Sequence, residues 1–580
     1  MTNQTPSKVP RREGSGNMIG KSSHQGHAMS IASHASTPPK QMPNMNKSKE
    51  VAEWAASRFG GKLDEDLAHS INDSFSFYGA KHLRRGVPLS RVMKGFGRIF
   101  ASSSGVGVNY EMSRTVDRFR YFLSHNWSVS RWYKHLALCF VFNFNLALSI
   151  GFVLLAVFAI LTSLHLMPMV PEHNGEGEST WVARALVAPS MALALLFGSD
   201  VLSTLGFRDP LVFVDKVCIH QTDEDEKLKG ISKLGAFLDC SDRMLILYSD
   251  VYLRKLWTIY EVATFLSLRS ISAMDVVPVQ MPAVIFGAPP GGYIFSSTLM
   301  LWRYLADADP GWLRYVLKSL FSFGFLMFLR RWAREKARTI VQLREFDVSD
   351  CTCAVEADRE VIYAKIADLM CVVHEDLRNA STMETLEVFN EKVRLHMPLS
   401  FGYMFGWTTF RYEHMLFISV VAIGTQSSDY AYFDSSSRWQ QVLCYWLTQF
   451  TWVFCVWPAV IFSAEILSAS FLSIRRFESL WIILCICILA APSAVLHAWM
   501  EKMVERSIDD DRSVLLCAVV SCPMLISTWL LVFFHRRSRI RAAHHLETKS
   551  PHIEGSSPGV PASTGLSDPE LDDNASVHSV

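Results

Sequence analysis

Charge is scarce in this chain: Asp, Glu, Lys and Arg make up 19% of its 580 residues, and the two signs nearly cancel to a net charge of +1. A near-neutral chain has no global attraction for nucleic acid or for acidic substrates, so no nucleic-acid partner is expected. Met1–Gly20 is polar and basic without an apolar core, and does not read as a secretory signal peptide. Twelve cysteines are present, but the lone Cys351-x-Cys353 offers only half of a tetrahedral zinc shell. Cys139, Cys444, Cys455, Cys485, Cys487, Cys517 and Cys522 fall in apolar runs, where they act as small hydrophobes. Neither a metal site nor a disulfide framework is therefore expected. The acidic run Asp223–Glu226, just after His220, lacks calcium-loop spacing and reads as a solvated loop leading into a helix N-terminus.

The absence of charge is most complete between Leu136 and Pro171, a stretch with no Asp, Glu, Lys or Arg. It exceeds the ~20 residues a membrane-spanning helix needs. A second apolar run, Trp181–Phe207, carries Arg184 and Asp200 only near its ends. Together they read as a membrane hairpin at about 137–207. Arg131 and Lys134 precede it and Arg208 and Lys216 follow, which places both flanks in the cytosol and the acidic loop Glu172–Thr180 outside. Further spans are expected at Phe405–Ile423, Gln441–Ile466, Leu480–Trp499 and Val514–Phe534. The basic groups Arg475-Arg476 and Arg536, Arg537, Arg539 and Arg541 then fix six crossings with both tails cytosolic. Trp312–Leu329 is interrupted by Arg314 and Lys318 and closed by Arg330-Arg331, so it reads as an interfacial helix. The cations Lys318, Arg330, Arg331, Arg334 and Lys336, beside aromatic rings, suit anionic membrane lipids; positive-inside topology accounts for them equally. Asp200 and Glu465 lie near span ends, positions that favour helix packing or the interface, and paired broken helices of the transporter kind are lacking.

Outside these runs the chain divides by composition. Residues 1–47 are polar and rich in Ser, Pro, Gly and Lys, and too poor in large apolar side chains to fold, and the same holds from about His545. Residues 48–116 form a helical cytosolic segment, with short helices at Ala52–Phe59 and Leu89–Phe100. In 117–280, Phe119–Trp127 reads as a buried strand ending in a polar turn, and Leu211–Val214, Met244–Tyr248 and Asp275–Val279 as further strands. Helical periodicity appears in Glu226–Leu238 and Leu256–Leu268. Strands alternating with helices predict a parallel α/β sheet interrupted by the hairpin. Residues 281–400 make the interfacial helix and a charged helical connector, 401–535 a membrane domain of about four spans, and 536–580 a basic and then disordered tail.

The stretch Ser249-x-x-Tyr252, followed by Trp257 and Glu261, resembles the third signature region of Toll/interleukin receptor (TIR) domains, with Thr258 in place of the usual Cys. Phe122-Leu123-Ser124 resembles the first-strand motif of that family, although Arg120 stands where an acid is common. Val214-Asp215, Gly230-Ile231, Leu234, Leu238 and Ser241 follow in the order of its second strand, loop and next helix. Val214–Gln221 is also similar to the fungal heterokaryon-incompatibility domain. The resemblance covers about 117–280 and implies a TIR-like, flavodoxin-like parallel sheet.

Three functions are open, the first two implied by the resemblance and the third by the spans. The first is a membrane-tethered signalling or scaffold protein that associates with itself or with other TIR-like domains. The second is an enzyme that cleaves NAD as substrate and uses no other cofactor. There Glu261 would be catalytic, its carboxylate stabilising an oxocarbenium-like ribose, with Ser124, Asp215, Ser249 and Trp257 shaping the substrate pocket. In adaptors of the same family the equivalent Trp and Glu are structural. The third is a channel or transporter with a regulatory α/β domain. Ser124, His125 and Asp215 can also be written as a nucleophilic triad, but nothing in the sequence gives them the required geometry.

Overall fold

The computed structural model describes residues 74–549, apart from 103–106, 172–177, 180–181, 286–310, 406–409, 427–438, 473–476, 507–510 and a few single positions. The expectations for residues 1–47, Ala52–Phe59, the centre of the Glu172–Thr180 loop, Arg208, Arg475-Arg476 and the tail beyond Lys549 lie outside the described residues. At the other end of that tail, His545–Lys549 is helical rather than disordered.

The described strands form a six-stranded mixed sheet from β1 (Arg85–Pro88), β2 (Arg114–Thr115), β3 (Phe119–His125), β4 (Leu211–Phe213), β5 (Ser241–Tyr248) and β6 (Met274–Pro278), in the order β2-β1-β4-β3-β5-β6. The four strands read from the sequence, β3 to β6, are parallel, with neighbour pairs such as Tyr121↔Val212, Ser124↔Ile246 and Leu247↔Val277. Taken alone they run 2-1-3-4, the order of a doubly wound sheet with its switch point between β3 and β5. β1 and β2 add an antiparallel edge that the sequence reading assigned to helix, so the sheet is mixed rather than wholly parallel. β5 is buried almost continuously from Met244 to Tyr248, as a central parallel strand covered on both faces must be.

Besides a short helix at Gly107–Glu111, the described helices occur along the chain as α1 (Leu89–Gly97), α2 (Arg131–Ser163), α3 (Val182–Thr204), α4 (Asp215–Cys218), α5 (Glu224–Ser232), α6 (Leu234–Asp239), α7 (Leu256–Leu268), α8 (Gly311–Arg344), α9 (Asp358–Val373), α10 (Thr382–Phe405), α11 (Tyr412–Gln426), α12 (Trp439–Thr451), α13 (Trp457–Ala469), α14 (Glu478–Arg506) and α15 (Asp511–Lys549). A turn of π-helix, Trp452–Val456, joins α12 to α13. The helix expected over Glu226–Leu238 is two, α5 and α6, meeting at Lys233.

Among the described residues, four stretches are long and apolar enough to cross a membrane: Arg131–Phe158, Ala185–Thr204, Leu443–Ala469 and Val514–Phe534. The other two expected spans yield shorter apolar stretches among the described residues, Tyr412–Val421 in α11 and Glu478–Leu489 in α14. α2 and α3 pack as an antiparallel hairpin with α11 against both. Gly151 allows that approach: a Cβ there would stand 2.5 Å from Met191 Sδ and 2.9 Å from Val420 Cγ1. Asn143, fully buried, stitches the hairpin by donating Nδ2 to the Leu195 carbonyl at 2.9 Å and accepting from Ser199.

Two large apolar cores result, beside a small cluster of Cys444, Met503 and Cys517. One fills the α/β unit, and it takes in more than residues 117–280. Phe75, Leu83 and Val92 enter from the N-terminal side, and Leu343, Ile362, Ile366, Phe389 and Phe401 from α8, α9 and α10. The charged connector is thus one wall of the α/β unit. The second core lies among α2, α3, α8, α11, α13 and α14. α8 serves both: Leu326 and Leu329 pack in the bundle, Leu343 and the half-buried Trp332 and Ile340 in the α/β core.

Arg330, read from sequence as a lipid-facing or topology-setting cation, sits at the changeover and is fully buried. Its guanidinium donates to the carbonyls of Ser468 and Ser470 at the end of α13, at 3.2 and 3.0 Å, and pairs with Glu478 of α14 at 3.2 Å. Arg334 joins the same carboxylate at 2.8 Å. Glu465 is likewise buried, with Lys336 of α8 within electrostatic reach, whereas Asp200 is exposed. Removing Arg330 strips the last carbonyls of α13 of a charged donor and leaves Glu478 only Arg334. Arg330→Ala is expected to lower stability by about 2–4 kcal/mol, while the exposed neighbour change Arg331→Ala leaves it unchanged; thermal unfolding of both variants in detergent checks this.

Candidate functional site

The carboxyl ends of β3 and β5 meet at the switch point, where open α/β sheets bind ligands. β3 ends in Ser124 and His125, both buried. β5 ends in Tyr248 and continues into a tight turn in which the Tyr252 amide donates to the Ser249 carbonyl at 3.0 Å. Thr258, at the position usually held by Cys in the family resembled, ties that turn to α7. Its hydroxyl donates to the Tyr252 carbonyl and, at 2.9 Å, to that of Lys255. The start of α7 is completed from outside the strand-helix unit, the Leu256 amide donating to Thr352 at 3.1 Å. One turn further on, Glu261 faces β3.

Ser124 is the centre of a hydrogen-bonded chain. Its hydroxyl donates to Glu261 Oε2 and is also bonded to the Tyr252 hydroxyl, which is fully buried. Burial pushes the Glu261 carboxyl up to about 8; the Ser124 hydrogen bond opposes the rise and the Asp215 carboxylate adds to it. Tyr252 is raised too, by burial and then by Glu261. At neutral pH Glu261 is therefore mostly protonated, although it remains partly exposed.

Asp215 opens α4 directly after β4. Its Oδ1 accepts the Lys216 amide at 2.7 Å and its Oδ2 the Trp127 indole N–H at 3.0 Å. His125 stands edge-on to Trp127 and Phe100, with ring centroids 4.6 and 5.1 Å away. Burial first, then the Lys134 ammonium, lowers its pKa to about 4, so it is neutral at physiological pH. Ser124 thus bonds to Glu261 and Tyr252, His125 packs on rings, and Asp215 holds an indole; the three do not form a triad.

Of the expected site residues, Ser124 and Glu261 are in contact and Asp215 lies within electrostatic reach of Glu261. Ser249 is buried at the end of β5 with no partner for its hydroxyl. Trp257 is turned away, donating to Asp358 of α9 at 3.3 Å and packing near Tyr260, so it belongs to the wall that α9 forms and does not join the Ser124–Glu261 cluster. Sequence reasoning missed Trp127 as the partner of Asp215, and it used Lys134 and Lys216 only as topology markers. Both lysines are buried, with Nζ 5.0 and 5.5 Å from the Trp127 ring centroid. The available signal was a Trp two residues beyond a buried strand, followed by a lysine as the last charge before a long uncharged helix.

No group of three or more His, Cys, Asp or Glu suited to a metal occurs among the described residues. Cys351, half of the Cys-x-Cys pair, is buried with its thiol directed to the Asp347 carbonyl. Comparisons of the chain with protein-family models, curated proteins and solved structures gave no match.

The protonation of Glu261 makes stability depend on pH. In the unfolded chain it ionises at the ordinary value of 4.5, whereas the native state keeps the proton up to about 8. Its contribution is therefore fullest below 4.5 and is lost as pH rises to about 8. Glu261→Gln keeps the shape without the charge and is expected to remove this loss, gaining on the parent by an amount on the order of a few kcal/mol at alkaline pH and by little in acid. Denaturant unfolding of both proteins across that range checks it; parallel pH profiles would exclude a buried, proton-retaining carboxyl.

Proposed function

We propose that the chain is a multi-pass membrane protein carrying a cytosolic TIR-like domain that works as a signalling or scaffold module. Membrane residence is supported by large apolar side chains that the bundle leaves exposed, among them Val153, Leu193, Val519, Trp529 and Leu531. Six crossings, with α11 and α14 as the shorter two, keep both tails on the cytosolic side and the loop between α2 and α3 outside. The TIR-like reading is supported by the 2-1-3-4 order of the parallel strands and by the position of Ser249, Tyr252 and Glu261 around the β5–α7 junction.

One observation favours a binding module over an enzyme: three of the motif residues, Tyr252, Trp257 and Glu261, use their polar groups inside the fold. Tyr252 and Glu261 both bond to Ser124, and Trp257 bonds to Asp358. A carboxyl that holds its proton to about 8 is also a poor stabiliser of a positively charged ribose at neutral pH. The partners such a module would take are further copies of this chain or other TIR-like domains. The second reading, NAD cleavage, draws on the same Glu261: a carboxyl with a strongly raised pKa, partly exposed at the carboxyl edge of a parallel sheet, is a common mark of a catalytic group.

The scaffold reading predicts that two differently tagged full-length copies, co-expressed and solubilised in detergent, purify together and cross-link through the α/β unit. It also predicts that the assembled protein releases no nicotinamide from NAD. Strictly monomeric protein would exclude self-association. Nicotinamide release that disappears in a folded Glu261→Ala variant would replace the scaffold with the enzyme.

A further inference from the structure

The last residues of α1 leave the helical path at Lys94, whose ψ is 137°. Gly95, Phe96 and Gly97 then follow with positive φ, at 64°, 57° and 65°. Phe96 is the only non-glycine residue with positive φ among the described residues. A bulky side chain in the left-handed region crowds its own backbone, so glycine would be the unstrained choice there too. The turn is pinned on both sides. Leu89, Val92 and Met93 before it, and Ile99 and Phe100 after it, lie in the α/β core. Gly97 packs on the first turn of α2, where a Cβ on it would stand 3.2 Å from that of His135. Phe96 is thereby held out from the α/β unit and against the hairpin. Its ring centroid lies 5.7 and 5.6 Å from those of Trp132 and His135 of α2, and 6.1 Å from that of Phe197 of α3.

Packing alone would bury a ring with three such neighbours, yet Phe96 is 42% exposed, and Trp132 and Phe197 are 49% and 38% exposed. The open apolar face continues along the end of α3 through Val201, Leu205 and Phe207. Its level on the hairpin is defined from both helices. The uncharged run of α2 begins at Leu136, directly after His135. Phe197 lies ~10 Å, at the helical rise, inside the end of the apolar stretch Ala185–Thr204. The Phe96 ring therefore sits where the apolar part of the hairpin begins. The cations on either side of it, Lys94 and Arg98, are exposed, and Lys94 is within electrostatic reach of Asp200, the acid in the apolar part of α3. Aromatic rings between cations at the ends of apolar helices match the chemistry of the headgroup layer of an anionic leaflet.

Taking the hairpin as membrane-spanning, as in the function proposed above, we propose that the turn Lys94–Arg98 is a lipid-contacting wedge: Phe96, together with Trp132 and Phe197, enters the headgroup layer of the leaflet facing the α/β unit, and Lys94 and Arg98 face its phosphates. Lipid contact offsets the backbone strain at position 96 and gives the ring a role that glycine could not fill. Because α1 follows β1 directly and packs in the α/β core, the wedge fastens the antiparallel edge of the sheet to the bilayer surface.

The test uses full-length protein carrying photoreactive benzoylphenylalanine in place of Phe96, reconstituted into vesicles of phosphatidylcholine and phosphatidylserine, irradiated and digested. Two further positions calibrate it: Ile526, exposed within the apolar stretch Val514–Phe534, and Leu228, exposed on α5 of the α/β unit. Mass spectrometry is expected to find the peptides containing positions 96 and 526 heavier by one phospholipid, and the Leu228 peptide unchanged. Lipid adducts at 526 but none at 96, or adducts at 96 to protein alone, overturn the wedge and leave membrane residence intact. No lipid adduct at either position overturns both. If position 96 does not tolerate the larger ring, Trp132→benzoylphenylalanine in the same aromatic patch carries the comparison: a lipid adduct supports the wedge, and its absence beside a labelled position 526 overturns it.

Discussion

The parallel pairing of β3 with β4 is the constraint on which the rest of the molecule depends. These strands are neighbours in the sheet, yet the whole α2–α3 hairpin lies between them in the chain. They can pair in register only if α3 returns the chain to where α2 left it. The close approach at Gly151 and the Asn143 bonds to α3 secure that return from within the apolar bundle. Polar contacts inside an apolar helix pair therefore fix strand register in the α/β unit. The sheet in turn holds Ser124, at the end of β3, against Glu261 on the helix that follows β5.

α8 provides the second tie between the two cores. Its apolar residues serve the bundle in the first half and the α/β unit in the second, and the one position that must pass between them carries a charge. A buried guanidinium is costly unless it is hydrogen-bonded and paired. Arg330 donates Nη1 to the end of α13 and pairs its charge with Glu478, so the cost of burial is offset by joining three helices at one point. A hydrophobic residue there would pack but would not specify which helix ends come together.

Much of this was legible because the informative signals were local. The uncharged run from Leu136 marked α2, and short apolar runs bounded by polar turns marked β3 to β6. β1 and β2 were invisible because Arg85, Pro88, Arg114 and Thr115 lack the alternation of a strand and owe their pairing to the sheet edge. α9 was taken for part of a solvated connector on the strength of its charges, although Ile362, Ile366 and Leu369 repeat at helical spacing along one buried face. At the site, Glu261 and Ser124 were each singled out, but their contact and the engagement of Trp257 by Asp358 depend on long-range packing that no local pattern encodes. The burial of Lys134 was hidden for the same reason. A lysine beside an apolar run is ordinarily a solvated flank, and only the rings of Trp127 and Phe100 around it show otherwise.

The interruption of the sheet by the hairpin also sets an order of events during synthesis. Of the parallel strands β3 leaves the ribosome first, and it has no parallel partner until α2 and α3 have been made and the chain has reversed. β5 and β6 follow, and the wall made by α9 and α10 arrives last. The strand that carries Ser124 must therefore wait with an unpaired edge while the next two helices form and pack. Completion of the α/β unit thereby becomes a report that the hairpin has closed: a chain whose α2 and α3 fail to pair cannot present a finished sheet.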